Sequence, residues 1–104
     1  MLTYKAVFAS VNVLDEDVKR ATERINAIFG VKVLEATTQH ILVQFDADVH
    51  HLARNPMLQH QFDILRGNVR AELELACGIT IKTCNAVELS LFKKLQLSIK
   101  RLFN

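Results

Sequence analysis

Residues 31–46, VKVLEATTQHILVQFD, carry two short runs of strand-forming side chains, VKVLEA (31–36) and HILVQFD (40–46), parted only by Thr37, Thr38 and Gln39. Two such runs with a short polar break predict a β-hairpin, although no Asn-Gly pair fixes its turn type. What flanks this hairpin on either side decides the architecture.

On the amino-terminal side lies TYKAVFASVNV (3–13), rich in β-branched and aromatic residues, with apolar side chains on both alternating faces. Tyr4, Ala6 and Phe8 oppose Val7, Ala9, Val11 and Val13, which predicts a central strand covered on both sides. Asp15 then caps a predicted helix whose apolar positions Val18, Ala21, Ile25, Ile28 and Phe29 follow helical spacing. Glu16 and Asp17 suit its positive end, and Gly30 stops it.

On the carboxy-terminal side, Asn55-Pro56 is a helix entrance, with Asn as the cap and Pro at the first helical position. Leu58, Phe62, Leu65, Val69, Leu73 and Ala76 continue as an apolar stripe up to Gly78. Gly67 inside the stripe weakens the helix by ~1 kcal/mol relative to Ala. ITIKTC (79–84) is the fourth strand candidate, and Asn85 with Glu88 gives a capping-box-like start to a last helix, Ala86 to Phe103. The predicted order is therefore βαββαβα. Its first six elements resemble the ferredoxin-like sandwich, two split β-α-β units forming one antiparallel sheet with both helices on one face. The expected fold class is α+β, a ferredoxin-like βαββαβ sandwich with an additional C-terminal amphipathic helix. That architecture hosts many unrelated activities and implies none of them.

A length of 104 residues matches one domain, expected over 1–104, and half of the residues are hydrophobic, ample for one core. With one Pro and three Gly, the composition argues against linkers and low-complexity segments. Thirteen basic and eleven acidic side chains leave a formal charge of +2, too balanced to indicate a polyanion partner. The first twenty residues are unlike a secretory signal, and no run approaches the ~18 apolar residues of a spanning helix. A cytoplasmic location and no transmembrane segment are expected. Cys77 and Cys84, if joined by extended chain, stand on the order of 20 Å apart, beyond disulfide reach. Both are expected to be reduced and in or near the core.

The last predicted helix offers two surfaces. Val87, Leu91, Phe92, Leu95, Ile99, Leu102 and Phe103 form a broad apolar flank, and Lys93, Lys94, Lys100 and Arg101 the opposite one. Leu89 and Leu97 interrupt the basic flank and would be exposed if the helix packed only on its own domain. Leu89, Lys93, Lys94, Leu97, Lys100 and Arg101 are therefore the expected partner-binding residues.

Chemistry is sparse by comparison. Asp46, Asp48 and His50 recur at period two and would share one side of a continued strand, with His51, His60 and Asp63 nearby in sequence. Adjacent His50 and His51 diverge in any regular structure, and no known ligand string is present, so no metal and no cofactor are expected. Neither Cys77 nor Ser10, Ser90 or Ser98 stands in a nucleophile motif, and no Gly-rich phosphate loop exists. Nucleic-acid binding would need Tyr4, Phe8 and Phe45 as a stacking face beside Arg66, Arg70 and Lys82, and the aromatic signature of such strands is absent. The expected function is a non-enzymatic protein-interaction module acting by stoichiometric binding, a regulatory or inhibitory adaptor with a protein partner, self-associating as a homodimer. The alternatives are a nucleic-acid-binding α+β domain, which is not favoured, or a small dimeric pocket enzyme or ligand-binding domain.

Overall fold

The hairpin forms where the spacing predicts it. In the computed structural model, which describes residues 2–88 and Gln96, strand β2 (Val31–Ala36) pairs antiparallel with β3 (His40–Phe45). Thr37 organises the turn that no Asn-Gly pair supplies. Its hydroxyl accepts from the N–H groups of Gln39 and His40, both at 3.1 Å, while its own N–H donates to the His40 carbonyl.

Strand β1 (Leu2–Phe8) lies between β3 and the last described strand, β4 (Ile81–Val87), antiparallel to both. The sheet order is β2-β3-β1-β4. Helices α1 (Asp15–Asn26), α2 (Val49–Arg54) and α3 (Pro56–Ala71) complete a compact α+β domain among the described residues. Ala21 and Ile25 of α1 and Phe62 and Val69 of α3 share one buried cluster with Ala6, Phe8, Val31, Ile41, Val43 and Phe45. Cross-strand register puts those six strand residues on the same side of the sheet, so both longer helices cover one face. Tyr4, Phe45 and Phe62 meet at its centre, with Phe45 edge-on to both other rings at centroid distances of 5.6 and 5.3 Å.

Several expectations shift against this frame. The first strand ends at Phe8 instead of Val13, because Ala9 N–H donates to the Thr80 carbonyl and the Ser10 hydroxyl accepts from Thr80 N–H, turning the chain off the ladder. Val11 is then almost fully exposed. Leu14, not Asp15, is the residue before α1, and its N–H donates to the Asp17 carboxylate at 3.3 Å. Phe29, expected on the apolar face of α1, is 98% exposed, because the helix ends at Asn26 and Phe29 sits in the following turn.

The stretch after β3 does not continue the strand but forms α2, capped by the Asp48 carboxylate accepting from His50 N–H at 2.8 Å. Asn55 caps α3 as expected, accepting from the N–H groups of Met57 and Leu58, with Pro56 in the first turn. The apolar stripe of α3 runs on into a π-helical turn, Glu72–Ala76, where Leu73 is fully buried and the Glu72 carboxylate pairs with Arg24 of α1. Gly78 ends this run at φ +67° with open space around its missing Cβ. Gly78→Ala should therefore lower stability by about 1–2 kcal/mol through backbone strain alone, as measured by urea unfolding.

The largest correction concerns the end of the chain. Strand β4 covers Ile81–Val87, so Asn85, Ala86 and Val87 pair with β1 instead of opening a helix. The rest of the predicted last helix lies outside the described residues apart from Gln96, as do Leu89, Lys93, Lys94, Leu97, Lys100 and Arg101. No helix among the described residues is long and apolar enough to cross a membrane.

Candidate functional site

The two edges of the sheet are built differently. At the β2 edge, Val31 N–H donates to the Ile28 carbonyl and Val33 N–H to Asn26 Oδ1 at 2.8 Å, while a register shift between Val33 and Glu35 breaks the ladder. Asn26 is the last residue of α1, so the helix end folds over the outer N–H groups of this strand. Satisfied donors and a bulge close an edge against further pairing.

At the β4 edge no helix end or side chain covers the strand among the described residues, and its bulge lies at Lys82, next to the strand's first residue. Its only partner there is β1, and Lys82, Thr83, Cys84, Asn85 and Ala86 are all exposed. The strand holds one charge, at Lys82, and no Gly or Pro. The register shift on this side falls at the start of the strand, between Val7 and Phe8, leaving Thr83–Val87 in unbroken register with β1. The unbroken five-residue stretch Thr83–Val87, of this composition, is a template for another strand.

Beside that edge runs a shallow groove between the sheet and α3, with a cavity volume of about 30 Å³. Its floor is Tyr4, Ala6, Val43 and Ile81, and its α3 wall carries Val69 and two arginines, Arg66 and Arg70. Arg66 lies 5.2 Å from the Tyr4 ring centre and 5.4 Å from that of Phe62, and its Nη2 donates to Asp63 at 2.9 Å. Its Nε is buried with no hydrogen-bond partner among the described residues. Arg70 Nε donates to Glu74 at 2.9 Å. Cys84 is exposed on the strand, with its side chain on the groove side of the sheet.

The thiols are not activated. Desolvation raises the pKa of Cys84 against the opposing influence of Arg66 and Arg70, and it raises that of Cys77 against Arg20 and Arg24. A thiol held protonated is a poor nucleophile. Cys77 is buried as expected, whereas Cys84 is not, because the strand extends past it at the sheet edge.

A second, wider hollow of about 290 Å³ opens between α2 and α3. Asp46, Asp48 and His51 border it, but the third strand stops at Phe45 and α2 begins at Val49, so Asp46, Asp48 and His50 do not project from one strand. The Asp48 carboxylate is engaged as a helix cap, and the resulting backbone hydrogen bond from His50 lowers its pKa. Asp63 is held by Gln59 and Arg66 on the outer side of α3. Among the described residues, no group of three or more His, Cys, Asp or Glu side chains could hold a metal ion.

The aromatic residues also go elsewhere than a nucleic-acid platform requires. Tyr4, Phe8 and Phe45 lie on the helix-covered face. The opposite face carries Thr3, Lys5 and Val7 on β1, His40, the buried Leu42 and Gln44 on β3, and Thr83, Asn85 and Val87 on β4, and its one ring among the described residues is the half-buried imidazole of His40, held beside Glu35 at 3.3 Å. Arg66 and Arg70 do converge, but on an apolar groove. The sequence signal for this site is the uncharged run Thr83–Val87, of which Thr83 and Cys84 fall in the predicted fourth strand and Asn85 at the predicted start of the last helix.

No protein-family model, no curated protein and no solved structure matches this chain.

Proposed function

We propose that this chain is a non-enzymatic protein-interaction module that acts by stoichiometric contact, regulatory or inhibitory in effect, and that it self-associates. The observation that carries this reading is the unequal treatment of the two sheet edges. Asn26, Ile28 and a bulge close the β2 edge, whereas β4 stays exposed over five consecutive residues. An unpaired strand edge of low charge is an aggregation hazard unless it has a partner. The shallow groove beside it adds a mostly apolar surface that the side chains of an added strand can cover. On the fold, the strand order and the placement of α1 and α3 on one face support a ferredoxin-like sandwich, in which β1 and β3 are the central strands of two split β-α-β units.

Light scattering on the full chain across a dilution series tests self-association. A molar mass twice that of the chain at high concentration, falling toward one chain on dilution, is expected. A mass of one chain at every concentration overturns the self-associating reading.

A further inference from the structure

We infer that the segment 89–104, described only at Gln96, folds back as a helix over the sheet face opposite α1 and α3 and covers it. This goes beyond the self-associating reading and does not depend on it. Leu42, at the centre of that face, is 4% exposed, yet it stands apart from the buried cluster against which α1, α2 and α3 pack. The half-buried residues Thr3, Lys5 and Val7 of β1 and His40 and Gln44 of β3 surround it on the two central strands, with Glu35 of β2 half-buried against His40. Further out, Lys32 on β2 and Thr83 and Asn85 on β4 are exposed. A helix is ~10 Å wide and neighbouring strands stand about 4.8 Å apart. One helix laid along β1 and β3 therefore shields the centre and leaves the flanks of the face open, which is how burial is distributed here.

The chain supplies such a helix where it is needed. Strand β4 ends at Val87, half-buried on this same face and paired with Thr3 near the start of β1. The residues that follow, 89–104, contain no Gly, Pro, Asp or Glu, and Gln96 among them is helical and exposed. A helix over 91–103 is about 20 Å long, close to the roughly 23 Å of the seven-residue β1. A turn at 88–90 thus lets it run the length of the central strands. At helical spacing, Leu91, Phe92, Leu95, Ile99, Leu102 and Phe103 fall within about a third of the circumference, with Gln96 just outside that arc. Lys93, Lys94, Leu97, Lys100 and Arg101 lie outside it, away from the sheet. Lys5 is accommodated beneath the cover by its methylene stem, with its ammonium at the margin.

Thiol labelling with iodoacetamide, followed by peptide mass spectrometry, reads the two faces of the sheet separately in the full chain. In Cys84→Ser with Leu42→Cys, one thiol is Cys77 in the helix-side core and the other is at position 42 on the opposite face. Both should react on the order of a hundredfold more slowly than the exposed Cys84 of the unaltered chain. Adding Leu95→Glu and Ile99→Glu puts charge on the inner arc and should speed labelling at position 42 on the order of tenfold or more while Cys77 stays slow. Leu97→Glu, on the outer side, should leave both slow. Val7→Cys, on the same face, repeats the reading if Leu42→Cys itself unfolds the chain.

A position 42 that reacts faster than Cys77 beneath the native segment overturns the inference, and so does a slow one that L95E/I99E fails to speed. If L95E/I99E opens both thiols together, the whole fold has been lost and the milder Leu95→Ala decides. Faster labelling at position 42 than at Cys77 then upholds the cover, and equal rates overturn it. Protection of position 42 that is lost on dilution, with Cys77 still slow, assigns the cover to the segment of a second copy and overturns the intrachain placement.

Discussion

Phe45→Ala is expected to lower the free energy of unfolding by about 3–5 kcal/mol, read as a fall in the urea midpoint at unchanged slope. Phe45 is 2% exposed on the helix-covered face of β3, with Tyr4 and Phe62 edge-on around it. Removing the ring deletes its burial and leaves a cavity that two rigid rings and a sheet cannot collapse to fill. The loss extends to Arg66, whose guanidinium lies over the Tyr4 and Phe62 rings. A small domain has roughly 5–15 kcal/mol to lose, so this one substitution removes a large share of its stability. Phe29→Ala is the control. At 98% exposure it should change stability by no more than about 0.5 kcal/mol, although the two residues are identical in type.

The contrast between those two phenylalanines also marks how far the sequence could be read. Periodicity found the faces of the long elements: Val18, Ala21 and Ile25 of α1 and Phe62, Val69 and Leu73 of the α3 run are buried, as their spacing predicts. Helix punctuation was legible where its chemistry is specific, as at Asn55-Pro56 and at Gly78 with its positive φ. Phe29 continues the helical spacing of α1, but the chain leaves the helix at Asn26, whose side chain accepts from Val33 N–H of β2, and turns into that strand through Gly30 at φ +81°.

Asn85 with Glu88 failed for a related reason. A capping-box spacing is a local signal worth about 1 kcal/mol, whereas continuing β4 through Val87 satisfies backbone groups against β1 over three further residues. The ladder wins. The candidate site was hidden by the same error, because an open edge is a property of the neighbours a strand lacks, and no single segment encodes that. Likewise, nothing local in Glu72–Ala76 announced a π-helical turn. What accompanies it is a set of long-range contacts: Glu72 with Arg24, and Ile79 N–H donating to the Leu73 carbonyl.

Leu42→Ala should cost about 2–5 kcal/mol, a core-sized loss from a residue on the face that α1 and α3 do not cover. Leu42 is opposite Lys5 on β1 and Glu35 on β2, yet it is only 4% exposed and stands apart from the main buried cluster. Were this face simply solvated, a leucine there would be a surface residue and its truncation would fall within about 0.5 kcal/mol. Urea unfolding of Leu42→Ala beside Val11→Ala, whose side chain is almost fully exposed, separates the two cases. A loss of several kcal/mol at Leu42 with none at Val11 means that the second face carries apolar packing of its own. In that case the sheet is a two-sided structural layer, its faces are occupied, and the surface it keeps for a partner is the β4 edge.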